Sequence, residues 1–340
     1  MNLYAIISDR LNRVDFAALW PGFTRVPFAL YDEKTVDLGD REIPRDDRFL
    51  GNTAILLDGK WTAIWNAAGN EDPDELAAGM VHEMFHAFQY ARGETRFPND
   101  LEILRLGIDD GELGLRALEC ALLAEEHPSL ARFADARARR RAANPPLTRE
   151  AEWAETAEGM AEYMGVAALS MIAPEKGAIA RAAHRERLLD RSILHDTRRI
   201  AYFSGALLLA AAQDAGYTCF HDVGRETRAL GEIVLSQIAP ESAGDAPDVS
   251  CLVQAETARM GERCRLFRAE NVRYERHAWI TGYDPMNMTR AGDFVLCTRF
   301  VMLDGALITG PILLEMAPGS KNEVHAIYRE ECGIISGEEG

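Results

Sequence analysis

Apolar positions change their spacing twice along this chain. Between residue 72 and about 240 they recur every three or four residues, the period of helices. Before about 70 and after about 250 they tend to alternate with polar residues, the period of strands. The clearest helix starts at Asp72, a natural N-cap, with Pro73 at the first helical position and Glu75 completing a capping box. Leu76, Met80, Met84 and Phe88 form its apolar stripe, and Gly93 is its stop. Further helices are predicted around 112–126, 129–143, 148–172, 175–190, 197–215 and 222–238. Their breaks are His127-Pro128, Asn144-Pro145-Pro146, Ala173-Pro174 and Gly216.

The alternating segments read as strands. RVPFALYDEKTVDL is one extended stretch. TAILL and WTAIW are joined by an Asp58-Gly59 turn, and DFVLCTRFVML meets ALITGPILLEM at Asp304-Gly305. HAWITGYD and NEVHAIYRE add further strands. The polar segment SAGDAPDVS, 242–250, marks a domain boundary. An α+β chain is expected, with a unit over 1–241 (β region to about 70, helical lobe about 72–240) and a small β-rich unit over 251–340.

The first helix carries His82-Glu83-Met84-Phe85-His86, an HExxH pattern. Residues four apart lie one turn apart on one face, so the two imidazoles can share one metal ion, and zinc accepts two such nitrogens readily. Glu83 lies about 100° around the helix, outside that ligand row, where its carboxylate can take a proton from water at the metal. A catalytic zinc site needs a third protein ligand. The candidates are other histidines and carboxylates. Glu152, Glu155, Glu158 and Glu162 form an acidic stripe on a predicted helix that also holds Trp153, Met160 and Tyr163, and a partly buried carboxylate row calls for a cation against it.

HEMFH followed by WAETAEGMAEY resembles the gluzincin metallopeptidases, the peptidase MA group. The resemblance covers about residues 50 to 220 and implies a zincin-like metallopeptidase core. It implies zinc held by His82, His86 and Glu158, with Glu83 as general base and a peptide or protein as substrate. Glu155 and Glu162 are then carboxylates behind the ligands, and Gly159 and Ala161 the small residues that let the two helices pack. The segment Ala201–Ala206 is similar to a following helix in some members, and Tyr202 and His195, then Tyr163, are the candidates for oxyanion stabilisation. WTAIWNA is a candidate edge strand for an extended peptide. The interval from His86 to Glu158 is longer than in compact members. AFQYARGETRF after His86 lacks the HxxGxxH continuation of metzincins. Two other readings stay open: a binding or regulatory protein that keeps the site without activity, and a hydrolase of a non-peptide amide bond.

Charge narrows the partners. With 54 acidic against 37 basic residues the net charge is −17, which argues against a general nucleic-acid binder or a binder of anionic membranes. No apolar run approaches a membrane span. MNLYAIISDRLNRVDF lacks the basic and apolar regions of a signal peptide, so a cytoplasmic protein is expected. The six cysteines, Cys120, Cys219, Cys251, Cys264, Cys297 and Cys332, are scattered and expected to be buried small hydrophobes. Arg137, Arg139, Arg140 and Arg141 are expected on a solvated helix face.

Overall fold

In the computed structural model, which describes residues 2–69 and 72–330, the chain is α+β with two sheets. The order is α1 (Leu3–Leu11), α2 (Phe16–Leu19), β1 (Phe28–Tyr31), β2 (Thr35–Asp37), β3 (Glu42–Pro44), β4 (Thr53–Leu57), β5 (Lys60–Asn66) and α3 (Pro73–Ala91). Then follow α4 (Asp100–Leu106), α5 (Asp110–Ala124), α6 (Leu130–Ala143) and α7 (Pro145–Ala154). A π-helical turn (Glu155–Gly159) leads into α8 (Met160–Ile172), α9 (Pro174–Leu189), α10 (Thr197–Asp214), α11 (Leu230–Leu235) and α12 (Ser250–Glu270). The chain continues with β6 (Val272–Tyr283), β7 (Met288–Ala291), β8 (Phe294–Cys297), β9 (Phe300–Leu303), β10 (Ala306–Thr309), β11 (Ile312–Met316) and β12 (Glu323–Arg329). Two compact units result: Met1–Pro98 with Arg116–Ala142 and Ala151–Asp245, and Asn99–Leu115 with Ala143–Glu150 and Ala246–Gly340.

In the first unit a five-stranded sheet, ordered β3-β2-β1-β5-β4, packs against α3. The β4–β5 hairpin turns at Asp58 and Gly59, both at positive φ (49° and 76°), the primed geometry that suits strand twist. The candidate edge strand WTAIWNA is corrected here. It is β5, which pairs with β1 on one side and β4 on the other, so its hydrogen-bonding groups are used; β4 is the outer strand. The pleat of β5 sends Ile64 into the core with Ala29, Tyr31, Val36 and Leu57, while Trp61 and Trp65 meet α3 at Tyr90 and Gly79.

Helix α3 forms between its predicted ends, although only the Asp72 half of the expected capping box is made and the Glu75 carboxylate does not return to Asp72 N–H. Asp72 accepts from the backbone of Asp74 (2.9 Å) and Glu75 (3.2 Å). At the other end Gly93 N–H reaches Tyr90 O and Glu94 N–H reaches Gln89 O, a Schellman stop with Gly93 at φ 75°. Leu76, Met80, Met84 and Phe88 are all buried.

Other segments depart from the sequence reading for identifiable reasons. The stretch expected to be one extended run folds back, because Asp32 accepts from the backbone of Lys34 (2.7 Å) and Thr35 (2.8 Å) and turns β1 into β2. Residues before β1, read as strand-rich, form α1 and α2, capped by Asn2 and Asp15. Only Leu230–Leu235 of the helix expected over 222–238 is helical. The preceding loop is held instead by Arg96, which donates to Arg228 O (2.6 Å), and by Glu94, which accepts from Gly224 N (3.3 Å).

The second unit holds an antiparallel seven-stranded sheet, β10-β9-β6-β12-β11-β8-β7. One face buries Ile280, Val295, Leu303, Ile312 and Leu314 with Leu101 of α4. The other receives α12 through Cys264 against Leu296, Leu313 and Tyr328. The sequence pattern missed α12, whose few buried side chains, Val253, Glu256 and Cys264, trace no apolar stripe. Four cysteines are buried as expected; Cys251 is exposed, and Cys332 lies outside the described residues. No described helix is long and apolar enough to cross a membrane.

Candidate metal centre

The centre lies within the first unit, where α3, the π turn, α8 and α10 meet. Their close approach depends on small residues. The assignment of Gly159 to the contact with α3 is corrected: a Cβ there would stand 2.4 Å from Gly205 Cα of α10. The residue that lets α8 approach α3 is Gly165, where a Cβ would lie 3.1 Å from Ala78 O and 3.6 Å from His82 Cβ.

Three donor atoms converge. His82 Nε2 and His86 Nε2 are 3.1 Å apart, and Glu158 Oε2 lies 3.2 Å from His86 Nε2 and 3.6 Å from His82 Nε2. Zinc with ligand bonds of about 2.0–2.1 Å in tetrahedral geometry needs its donors about 3.3 Å apart. The three side chains are buried, and together they are the one group of this kind among the described residues.

Each ligand is held from behind. His82 Nδ1 lies 3.0 Å from Glu162 Oε2, and the other oxygen of Glu162 lies 2.9 Å from His184 Nε2. His86 Nδ1 lies 2.8 Å from Gln89 Oε1. These contacts turn the Nδ1 edges outward and leave both Nε2 atoms facing Glu158. Glu158 gives its second oxygen to Arg198, at 2.5 Å, so one oxygen faces the histidines. Fully buried Gln89 also donates to Ala157 O (3.3 Å), a carbonyl of the π turn. One side chain therefore ties the π turn to a histidine of the site.

Electrostatics follow from burial and these partners. Burial alone would lower the pKa of His82, but hydrogen bonds with Glu158 and Glu162 prevail and push it up to about 10. Burial would raise Glu158, yet Arg198 and the histidines hold its carboxyl well below the usual range. Burial is likewise overcome at Glu162, where His184 and His82 bring the pKa down to about 2. Burial pushes the Glu83 carboxyl up. Burial, helped by the charge of Glu158, keeps the Tyr202 hydroxyl protonated far above its ordinary range. The site is thus built around positive charge beside two ionised carboxylates.

His82, Glu83, Glu162, His184 and Tyr202 share a cavity of about 310 Å³, with Trp65 at one side. The Tyr202 ring stacks on His82 at 5.5 Å. His195 and Tyr163 do not line this cavity, and Tyr163 donates to Gln213 instead. Arg198, Gln89 and His184 were missed in the sequence. The first two are legible afterwards as helix neighbours, Arg198 four residues before Tyr202 and Gln89 three after His86. His184 has no local signal.

The acidic stripe is corrected. Only Glu158 and Glu162 face the histidines. Glu152 and Glu155 face Arg137, which is fully buried rather than solvated. Arg140 is buried beside it and pairs with Glu119 at 2.8 Å, while Arg139 and Arg141 remain partly exposed. Glu155 therefore does not stand behind a ligand of the site.

Comparison with protein-family models, with curated proteins and with solved structures gives no match.

Proposed function

We propose that this chain is a zinc-dependent hydrolase with a zincin-like core, a peptidase that cleaves peptide bonds with Glu83 as general base. The observation that carries this reading is the convergence of His82 Nε2, His86 Nε2 and Glu158 Oε2, each ligand fixed from behind, with Glu83 on the wall of the adjoining cavity. The residues fit zinc by donor type and by spacing. Bound there, zinc supplies Lewis acidity, polarising a carbonyl and acidifying water.

The chain's own residues do the rest. Glu83 is buried beside two histidines, and its raised pKa brings it toward the range where a base can accept a proton from water and return it to a leaving amine. Glu162 and Gln89 keep the imidazoles in the ligating tautomer. The protonated hydroxyl of Tyr202, on the cavity wall and hydrogen-bonded to Glu158, is the donor that would turn to a developing oxyanion.

Purified protein is expected to hold about one zinc per chain. Glu83→Gln should retain that zinc and lose hydrolysis of a mixed peptide library by about 10²–10⁴-fold. A chain that takes up no zinc overturns the reading. Zinc binding without any hydrolysis in the library would favour the binding or regulatory role.

A further inference from the structure

The cavity extends away from the histidines along α3, and its chemistry changes on the way. Near Glu83 it is polar. Further along it is lined by Trp65 of β5, Ala78 and Gly79 of α3, Val166 and Leu169 of α8 and Ala180 of α9. That stretch is apolar, and the Trp65 ring covers Gly79, where a Cβ would stand 2.4 Å from its Cη2. At its far end stands Glu75, exposed at the mouth. Glu75 precedes His82 by seven residues, about 10 Å of helical rise.

Glu75 differs from the carboxylates around it. Asp72 and Asp74 are both engaged: Lys176 Nζ lies 2.7 Å from each, and Arg10 Nε donates to Asp74 at 2.6 Å. Glu75 has no ion pair with a described residue. An apolar cavity that begins at the reacting centre and ends on a carboxylate without an ion pair matches one kind of side chain. Lysine and arginine carry a cationic head on an apolar stem, and they bury the stem along apolar surface while the head stays at the wet end. An acidic side chain would meet the like charges of Glu75 and Glu83, and a short apolar one would leave Glu75 without a partner.

We propose that this cavity is the specificity subsite of the enzyme and takes a lysine or arginine side chain of the substrate, its head paired with Glu75. The assignment rests on the peptidase reading. Its test is therefore chosen to separate the two. The zinc-loaded full chain is assayed with end-blocked peptides that differ in one residue next to the scissile bond: lysine, arginine, norleucine or glutamate. Lysine and arginine are expected to exceed norleucine about tenfold in kcat/KM on one side of the bond, with glutamate lowest. Glu75→Gln should abolish that preference and leave the norleucine peptide within about twofold of wild type.

A second measurement needs no turnover. Calorimetric binding of N-acetyl-lysine methylamide is expected to exceed that of the norleucine analogue and to weaken about tenfold in Glu75→Gln. Equal binding of the two amides, or no effect of Glu75→Gln on either readout, overturns the subsite. Lysine-amide binding that depends on Glu75, in a protein that hydrolyses no peptide, upholds the subsite and overturns the peptidase reading.

Discussion

One helical run carries two pairs of glutamates, all buried but the half-buried Glu162, and the protein treats the pairs in opposite ways. Glu152 and Glu155 belong to a closed network. The guanidinium of Arg137 fills all five donors there, reaching Glu119 at 2.8 and 3.0 Å, Glu152 at 3.1 Å, and Glu155 at 2.9 Å twice, and Ser204 donates to Glu155 at 2.8 Å. Glu158 and Glu162, a turn further on, face two imidazoles whose Nε2 atoms are held toward each other. In the first region a permanent cation saturates the carboxylates. In the second the remaining cation need is met by titratable nitrogens that can lose their protons to solvent when a metal binds. Satisfying every donor yields rigidity, and leaving lone pairs converged yields a site.

If that contrast holds, breaking the closed network should be the largest effect. Arg137→Met leaves three buried carboxylates without their shared partner and should destabilise the fold by about 3–5 kcal/mol. Because Arg137 spends its donors inside the protein, the loss measured by urea unfolding should be similar with and without zinc. A cost that shrinks markedly on zinc addition would show that the two regions are not separate.

The histidine side should respond in affinity first. Gln89→Leu removes the group behind His86 and uncaps a carbonyl of the π turn. Zinc affinity should fall about 10–100-fold, read by competition with a chelator, with a stability cost of only about 1–3 kcal/mol. A large stability loss with unchanged affinity would recast Gln89 as a member of a closed network.

The last effect is read at acid pH. Glu94 lies in a second closed cluster, with Arg96 Nη2 at 2.6 Å, and although burial would raise its pKa, the hydrogen bonds of Arg96 bring it to about 2. Its folded pKa is depressed from 4.5, so its stabilising contribution is present above about pH 4.5 and is lost as the pH falls toward 2. Glu94→Gln should therefore flatten the acid limb of a stability–pH curve between those values and leave zinc affinity at neutral pH unchanged.

The legible parts of the site were those that local geometry controls. His82 and His86 share a face because they are four residues apart, and Asp72 and Gly93 bound their helix by capping chemistry that acts over a few residues. The acidic stripe was legible as composition but not as direction. Each step of three residues falls about 60° short of a full turn, so Glu152, Glu155 and Glu158 fan around the helix. The π turn over Glu155–Gly159 widens the hydrogen-bond repeat and turns the later residues further. Nothing in the local sequence announces that turn. Its carbonyl is met by Gln89 from another helix, and Thr156 Oγ1 accepts from Leu230 N at 2.9 Å.

By itself, then, the sequence determined the α+β character, the Asp-Gly hairpins, the HExxH helix with its ends, and the residue types able to hold zinc. Each rests on contacts between residues a few positions apart, where spacing dictates geometry. Only the tertiary structure decided that Glu158 and Glu162 face the histidines, that Arg137 is buried, that β5 is an inner strand, and that Arg198 and His184 join the site. Those outcomes depend on elements tens of residues apart meeting at one angle, as Glu158 does with His86 across 72 positions. Long-range packing, and not periodicity, sets which side of each helix is turned inward.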